Sequence, residues 1–403
     1  MERVTSGEPT GGGPTGWPYG VALPRLQRRI ALSSEPESPP GVAIPSGPTP
    51  SGPRVALPTL NPLVTACHPK HCPRHLPTGV AVACGRAPIS NQCRRRDMSM
   101  PRRIVPGAVY MVTRRCTQRQ FLLRPDRETT NAFIYCLALA AQRTQMRVLA
   151  FLAHSNHHHT IVVDERGRMP EFLESFHKLV AKHQNALRGR WENFWASEAT
   201  SVVELVSPDD ILAKIAYALT NPVKDGLIDR ADQWPGATSI GATLYEREVV
   251  ARRPSRFFRR DGDQPVSVTV KVDRPPSFSH LDPAEWRAML SERIASIEAV
   301  ARAERQAEGR RILGRAEVLK QRPTDRPQSC EARRRLSPRI ASVNKWARTE
   351  AIQRNRAFLS AYRAARDLWK AGAVALFPAG TYWLRRFAGV PVEAVMLPAS
   401  CSV

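Results

Sequence analysis

Hydrophobic and polar positions fall into regular patterns only from about residue 104 onward. AVYMVT (108–113) is rich in β-branched and aromatic residues and predicts a strand. RPDRETTNAFIYCLALAAQRTQ (124–145) predicts a helix, with Phe133, Leu137 and Ala141 on one stripe and Asp126 placed to cap its start. RVLAFLA (147–153) and HHTIVV (158–163) predict two strands joined by a tight His154-Ser155-Asn156 turn. MPEFLESFHKLVAKHQNAL (169–187) is amphipathic at helical period, its stripe carried by Phe172, Phe176, Leu179, Val180 and Leu187. A strand follows in TSVVELV (200–206) and a helix in SPDDILAKIAYALTN (207–221). Ser207 is that helix's N-cap, Pro208 sits in its first turn, Asp210 lies three residues after the cap, and Asn221-Pro222 reads as its end. The order β-α-β-β-α-β-α predicts an α+β domain with a mostly antiparallel sheet and helices on one face.

Residues 246–281 read as a connector holding one strand, VSVTVKV (266–272), where valines alternate. Asp282-Pro283-Ala284-Glu285 has the form of a cap followed by proline and an acidic third residue, so a helix is expected from there to about Arg311. Residues 282–403 therefore read as a mostly helical, basic region. The other end of the chain differs. Residues 1–98 hold 17 of the 35 prolines and 11 of the 23 glycines. Such a segment buries too little apolar surface to offset its backbone entropy and is expected to be disordered. The abrupt change at MSMPRRIVPGAVYMV points to Met98 or Met100 as the true initiator. Within the tail, CHPKHCPRHL (67–76) places Cys67, His68, His71, Cys72 and His75 together, but no second ligand pair follows in strand or helix context, and chance composition explains it better than zinc.

Composition narrows the function classes. The longest uncharged run in the patterned region, AFIYCLALAAQ (132–142), is well short of the ~18 apolar residues of a membrane span. The N-terminus lacks a basic segment followed by an apolar one, so a cytoplasmic protein is expected, with its eight scattered cysteines reduced. Lys and Arg number 60 against 36 Asp and Glu, a formal charge of +24, which points to a polyanion partner. Half of that excess lies in residues 302–366, with 18 basic and 6 acidic side chains. Trp346, Phe358, Tyr362, Trp369, Tyr382 and Trp383 in this region are suited either to stack on bases or to pack a small core. EARRRLSPR (331–339) reads as a phosphate-tracking loop or a solvated linker.

Candidate chemistry centres on NHHHTIVV (156–163). On a strand, His157 and His159 leave one face and His158 the other, so His157 and His159 read either as a two-histidine metal clamp or as a histidine pair that holds no metal. Tyr217 and Asn221, four apart on the predicted helix, share a face and offer a phenol and an amide oxygen. Core packing for the tyrosine and a plain helix end for the asparagine are the alternatives on spacing alone.

These segments resemble a family. NHHHTIVV is similar to the N-H-x-H-L-L-V segment of the single-tyrosine HUH transposases, the insertion-sequence-200-like group, and especially of their branch associated with repetitive extragenic palindromes. YALTNPVKDGLI (217–228) and WPGATS (234–239) resemble that branch's Y-I-x-L-N-P-V-x-A-G-L and W-P-x-S-S signature, and VYMVTRRCTQRQFLL (109–123) its first strand and arginine-bearing loop. The resemblance covers about residues 101–245. It implies a ferredoxin-like HUH palm, Tyr217 as nucleophile, and His157, His159 and Asn221 as ligands of a divalent metal, Mg2+ or Mn2+. The implied activity is nicking and joining of single-stranded or hairpin (palindromic) DNA through a 5′-phosphotyrosine, by a monomer or homodimer. A phenol with pKa near 10 is a weak nucleophile at neutral pH, which agrees with a need for metal. Imidazole nitrogens beside an amide oxygen admit magnesium and suit manganese better. The chain departs from the pattern at His158, normally apolar, at His154-Ser155, normally Met-Pro, and at Val180 and His183, often aromatic. A buried His158 needs a partner. Two further readings are a catalytically inactive, transposase-derived nucleic-acid-binding protein, and a zinc hydrolase on His154, His157 and His159, for which Glu165 is the nearest base.

Overall fold

The computed structural model describes residues 101–328 and 338–394, all within one compact unit. The proline-rich tail, its CHPKHCPRHL segment, the Met98/Met100 start and most of EARRRLSPR lie outside the described residues. Strand β1 (Ala108–Arg115) leads to α1 (Arg127–Thr144), capped by the Asp126 carboxylate, which accepts from the Thr129 amide at 2.7 Å. β2 (Met146–Ala153) and β3 (His157–Asp164) form a tight hairpin, and α2 spans Met169–Leu187 as its periodicity predicts. β4 (Ser201–Leu205) is followed by α3 (Pro208–Lys224) and the short α4 (Ile240–Tyr245).

The β2, β3, β1 and β4 strands pair antiparallel in that spatial order. The sheet is mostly antiparallel, as expected, and is mixed only because a two-residue strand late in the chain pairs parallel to β4. One expectation needs correction: helices cover both of its faces rather than one. The cause lies in the strands themselves. Val109, Tyr110 and Met111, and opposite them Val163, Val162 and Ile161, are buried at consecutive positions, so both sides need a cover. Tyr110, Val112 and Val162 pack against α1 and α2, while Val109, Met111, Ile161 and Val163 pack against α3. A bulge at Leu149 in β2 sends both Leu149 and Ala150 to the α3 side.

The stretch after α4 adds a small hairpin, β5 (Val249–Arg252) with β6 (Ser267–Val270), which lies on α1. That cover explains why α1 is apolar around most of its circumference: it is enclosed by α2, the sheet and the hairpin, and Tyr135 donates its hydroxyl to the Pro265 carbonyl at 2.6 Å. Helix α5 (Pro283–Ala307) lays Trp286, Leu290, Ile294 and Ala301 against the α3 layer. After α6 (Arg315–Lys320) and β7 (Ile340–Ala341), the strand parallel to β4, come α7 (Lys345–Lys370) and α8 (Trp383–Ala388). α7 buries only Ala351, Phe358 and Ala365, so most of its arginines are exposed. The aromatics of this region divide: Phe358 and Tyr382 are buried, whereas Trp346, Trp369 and Trp383 are exposed. Among the described residues no helix is long and apolar enough to cross a membrane.

Candidate metal and tyrosine site

Strand alternation puts His157 and His159 on the α3 face of the sheet, where Ile161 and Val163 continue the same row. The Asn156 amide oxygen lies 2.7 Å from His157 Nδ1, and an amide oxygen only accepts, so Nδ1 carries the proton and Nε2 presents a lone pair. That lone pair faces Asn221 Oδ1 at 3.2 Å. Two acceptors pointed at one another repel unless a cation stands between them. His159 Nδ1 meets the Thr113 hydroxyl at 2.8 Å, and its Nε2 is buried with no partner. Burial, reinforced by the neighbouring histidines, holds His157 well below the ordinary imidazole range, and burial first, then His154, pushes His159 down to about 3. Both rings are therefore neutral at physiological pH.

One imidazole nitrogen and an amide oxygen thus meet at 3.2 Å, and the His159 ring, which carries the orphaned nitrogen, lies 4.9 Å from that of His157; in chemistry this donor set fits a divalent cation. Among the described residues no three His, Cys, Asp or Glu side chains gather as a metal site, and the set here differs in using an amide. His154 is turned away from it. Its Nδ1 accepts from the Ser155 amide at 2.9 Å, and its Nε2 lies 3.1 Å from Asp225 Oδ2, without hydrogen-bond alignment. Its ring stacks between His157 at 4.8 Å and Trp234 at 5.4 Å. A stacked His154 cannot aim its nitrogens where His157 aims its own, which speaks against the three-histidine zinc site.

Tyr217 is half-buried on α3, its ring 5.5 Å from that of His159. Burial, then the Asp225 charge, raises its hydroxyl above the usual phenol range, and Arg115 partly opposes them. Asn221 does not end the helix. α3 runs through Pro222 to Lys224, because a proline so near the C-terminus forfeits only one backbone bond and the last carbonyls find Asp225 and Leu227 amides. That extra turn extends the site's stripe to Lys224, and spacing i−3 from the tyrosine brings in Lys214. Their ammoniums stand over the Tyr217 ring at 4.9 and 5.3 Å. Sequence reasoning passed over both lysines, although the spacing 214, 217, 221, 224 is a single helical row.

The WPGATS segment braces this end of the sheet. Ala153 donates to the Ala237 carbonyl at 2.8 Å and Ser239 to that of Phe151 at 2.9 Å, so residues 237–239 cover the outer edge of β2. Trp234 Nε1 donates to the Ala153 carbonyl at 3.0 Å. A Cβ at Gly236 would lie 2.7 Å from that nitrogen and 2.8 Å from Pro125 Cβ, so only glycine lets the indole fold back.

On the far face, His158 has the partner its burial demands. Arg114 Nη1 can only donate, so His177 Nδ1, 3.0 Å away, accepts; His177 Nε2 then donates to His158 Nε2 at 3.1 Å, and His158 Nδ1 donates to Thr160 Oγ1 at 3.0 Å. One chain of four groups fixes both tautomers.

No family model matches the chain, and no curated protein matches it. Among solved structures, a REP-associated tyrosine transposase bound to a REP hairpin is similar over 36% of this chain and 84% of its own, at 19% identity and a TM-score of 0.29. A "putative transposase" from Deinococcus radiodurans R1 is similar over 31% of this chain and 97% of its own, at 15% identity and a TM-score of 0.23. Likenesses of that strength carry no argument about activity.

Proposed function

We propose that the chain is a metal-dependent DNA strand transferase of the single-tyrosine HUH type, acting on single-stranded or hairpin DNA. One observation carries the reading: His157 Nε2 and Asn221 Oδ1 face each other as two acceptors, beside the orphaned His159 Nε2 and the Tyr217 ring. His157, His159 and Asn221 would hold the metal, which when bound supplies a Lewis acid that polarises a phosphate oxygen. Asn156 and Thr113 fix the two imidazole orientations from behind.

Tyr217 would be the attacking group. Its oxygen forms a bond to phosphorus as the P–O3′ bond breaks; the phenol proton leaves, the 3′ oxygen takes one up, and the 5′ phosphate stays on the tyrosine. The phosphodiester energy is conserved, so a second 3′-hydroxyl can reverse the step and join a new end. The raised affinity of the Tyr217 oxygen for its proton makes unaided attack poor and fits a reaction that waits for metal and substrate. Incubating the chain with a labelled hairpin oligonucleotide and manganese tests the reading. A covalent adduct lost in Tyr217→Phe supports it; binding without an adduct under any divalent metal favours the catalytically silent, nucleic-acid-binding alternative.

A further inference from the structure

Helix α8 turns two aromatic rings outward. Trp383 and Phe387, four residues apart and so on one helix face, stack with centroids 5.3 Å apart and planes 16° from parallel, yet remain 52% and 74% exposed. Among the described residues neither ring enters a buried cluster: the small core here is Ala365, Ala375, Phe377 and Val390, and α8 feeds it through Leu384. The pair is nevertheless held in place. Trp383 packs edge-on against the buried Tyr382 at 5.3 Å, and the Tyr382 hydroxyl donates to Glu171 of α2 at 2.6 Å. Glu171 also accepts from Arg168 Nε at 2.9 Å, and Arg386 acts on it at longer range, so its charge is already matched. Two rings fixed in a near-parallel stack and left in water recover the cost of their exposure only against something from outside the fold.

The charge around the rings selects the occupant. α8 carries Arg385 and Arg386, both exposed, and no carboxylate. α7, which shares the small core through Tyr362 and Ala365, carries seven basic and two acidic residues. A flat, π-faced group tied to negative charge fits such a surface, and a nucleobase on its phosphodiester strand is that group. A second copy of this chain would bring its own arginines against these. The exposed part of the two rings, roughly 300 Å², is also well short of the ~800 Å² per partner of a stable dimer. We propose that Trp383 and Phe387 form a base-stacking platform for unpaired nucleotides, with Arg385 and Arg386 alongside for the backbone phosphates. Bases in a duplex already stack on one another, so the platform selects single-stranded or looped segments. The choice of nucleic acid rests in part on the function proposed above. The platform itself is a separate site, anchored on α2 across the sheet from His157, His159 and Tyr217.

The test is binding of fluorescently labelled DNA oligonucleotides to the full chain carrying Tyr217→Phe, which excludes covalent capture, read by anisotropy. Loss of one base–aromatic stack corresponds to about 5–150-fold in affinity, so Trp383→Ala and Phe387→Ala should each weaken single-strand binding by that order, and Trp383→Tyr should restore most of it. The slope of log K against log salt should not change, because no phosphate contact is lost. An abasic strand of the same length should bind the parent more weakly and be indifferent to Trp383→Ala. Unchanged affinity in both alanine variants, equal parent binding of abasic and ordinary strands, or no parent binding at all overturns the platform. So does a dimer that Trp383→Ala converts to monomer in sedimentation while DNA affinity holds, which gives the face to a second copy. Adduct formation with Tyr217 intact reads the transferase separately. Weakened single-strand binding without any adduct keeps the platform and sinks the transferase, whereas an adduct with unchanged affinities does the reverse.

Discussion

Replacing His177 by leucine should be among the most destabilising single changes in the domain, and part of its cost should vanish when His158 is replaced as well. The imidazole of His177 bridges Arg114 Nη1 at 3.0 Å and His158 Nε2 at 3.1 Å, and both histidines are buried. Leucine fills most of the volume, so the cavity term is small and the loss is polar. Two hydrogen bonds go, one to a charged group, and His158 Nε2 and the guanidinium are left without their partner. At about 1–3 kcal/mol for each buried group left unsatisfied, His177→Leu should cost about 3–5 kcal/mol. His158→Leu leaves His177 Nε2 unpaired and should cost about 2–3 kcal/mol. In the double variant the histidine pair is replaced by apolar contact with Phe133, Phe176 and Trp195, which already surround His158 at 5.2–5.7 Å between ring centroids. The orphan at Nε2 is then absent from both sides, so the double variant should be about 1–3 kcal/mol more stable than the sum of the singles. Urea denaturation of the four proteins closes the cycle. Additivity within about 0.5 kcal/mol would refute the hydrogen-bonded relay.

The same pair sets a pH dependence. Burial holds both histidines well below the ordinary imidazole range when folded, so below about pH 6.5 the unfolded chain binds protons that the folded chain refuses. Stability is therefore flat above about pH 6.5 and falls below it, by about 1.4 kcal/mol per pH unit for each such histidine, and the double leucine variant should lose roughly two such contributions from its slope. Asn156→Ala frees the His157 ring from the oxygen that fixes its tautomer, and manganese affinity measured by calorimetry should drop about 10–100-fold while the fold persists.

Much of the sheet and its first helices was legible from residues 104 to 221, because the signals there are local. The amphipathic stripe of α2 and the Asp126 and Ser207 caps each lie within a few residues of what they determine. Strand parity placed His157 and His159 on one face and His158 on the other for the same reason. What stayed hidden depends on distant partners. β7 is two residues long and has no period to read, and β5 is a short strand with one buried position whose role is to cover α1 from 120 residues away. The second helical layer was concealed because an apolar run such as IVV reads the same whether one face or both are covered. The His177 partner of His158 lies 19 residues on, in a helix where a lone histidine carries no spacing signal. The lysines flanking Tyr217 were in plain view by spacing, but Pro222 read as a helix stop and hid that Lys224 belongs to the row.

The central claim is that Tyr217 and the His157–His159–Asn221 set form one strand-transfer centre. The most direct measurement uses a hairpin oligonucleotide labelled on its 3′ segment, incubated with the protein and manganese and resolved under denaturing conditions. The account predicts a protein band carrying the 3′-segment label, with the 5′ segment released bearing a free 3′-hydroxyl. That band should vanish in Tyr217→Phe, with chelator, and in the His157→Ala/His159→Ala double variant. A band that survives Tyr217→Phe, a band carrying the 5′ segment instead, or the absence of any band with every divalent metal would contradict it.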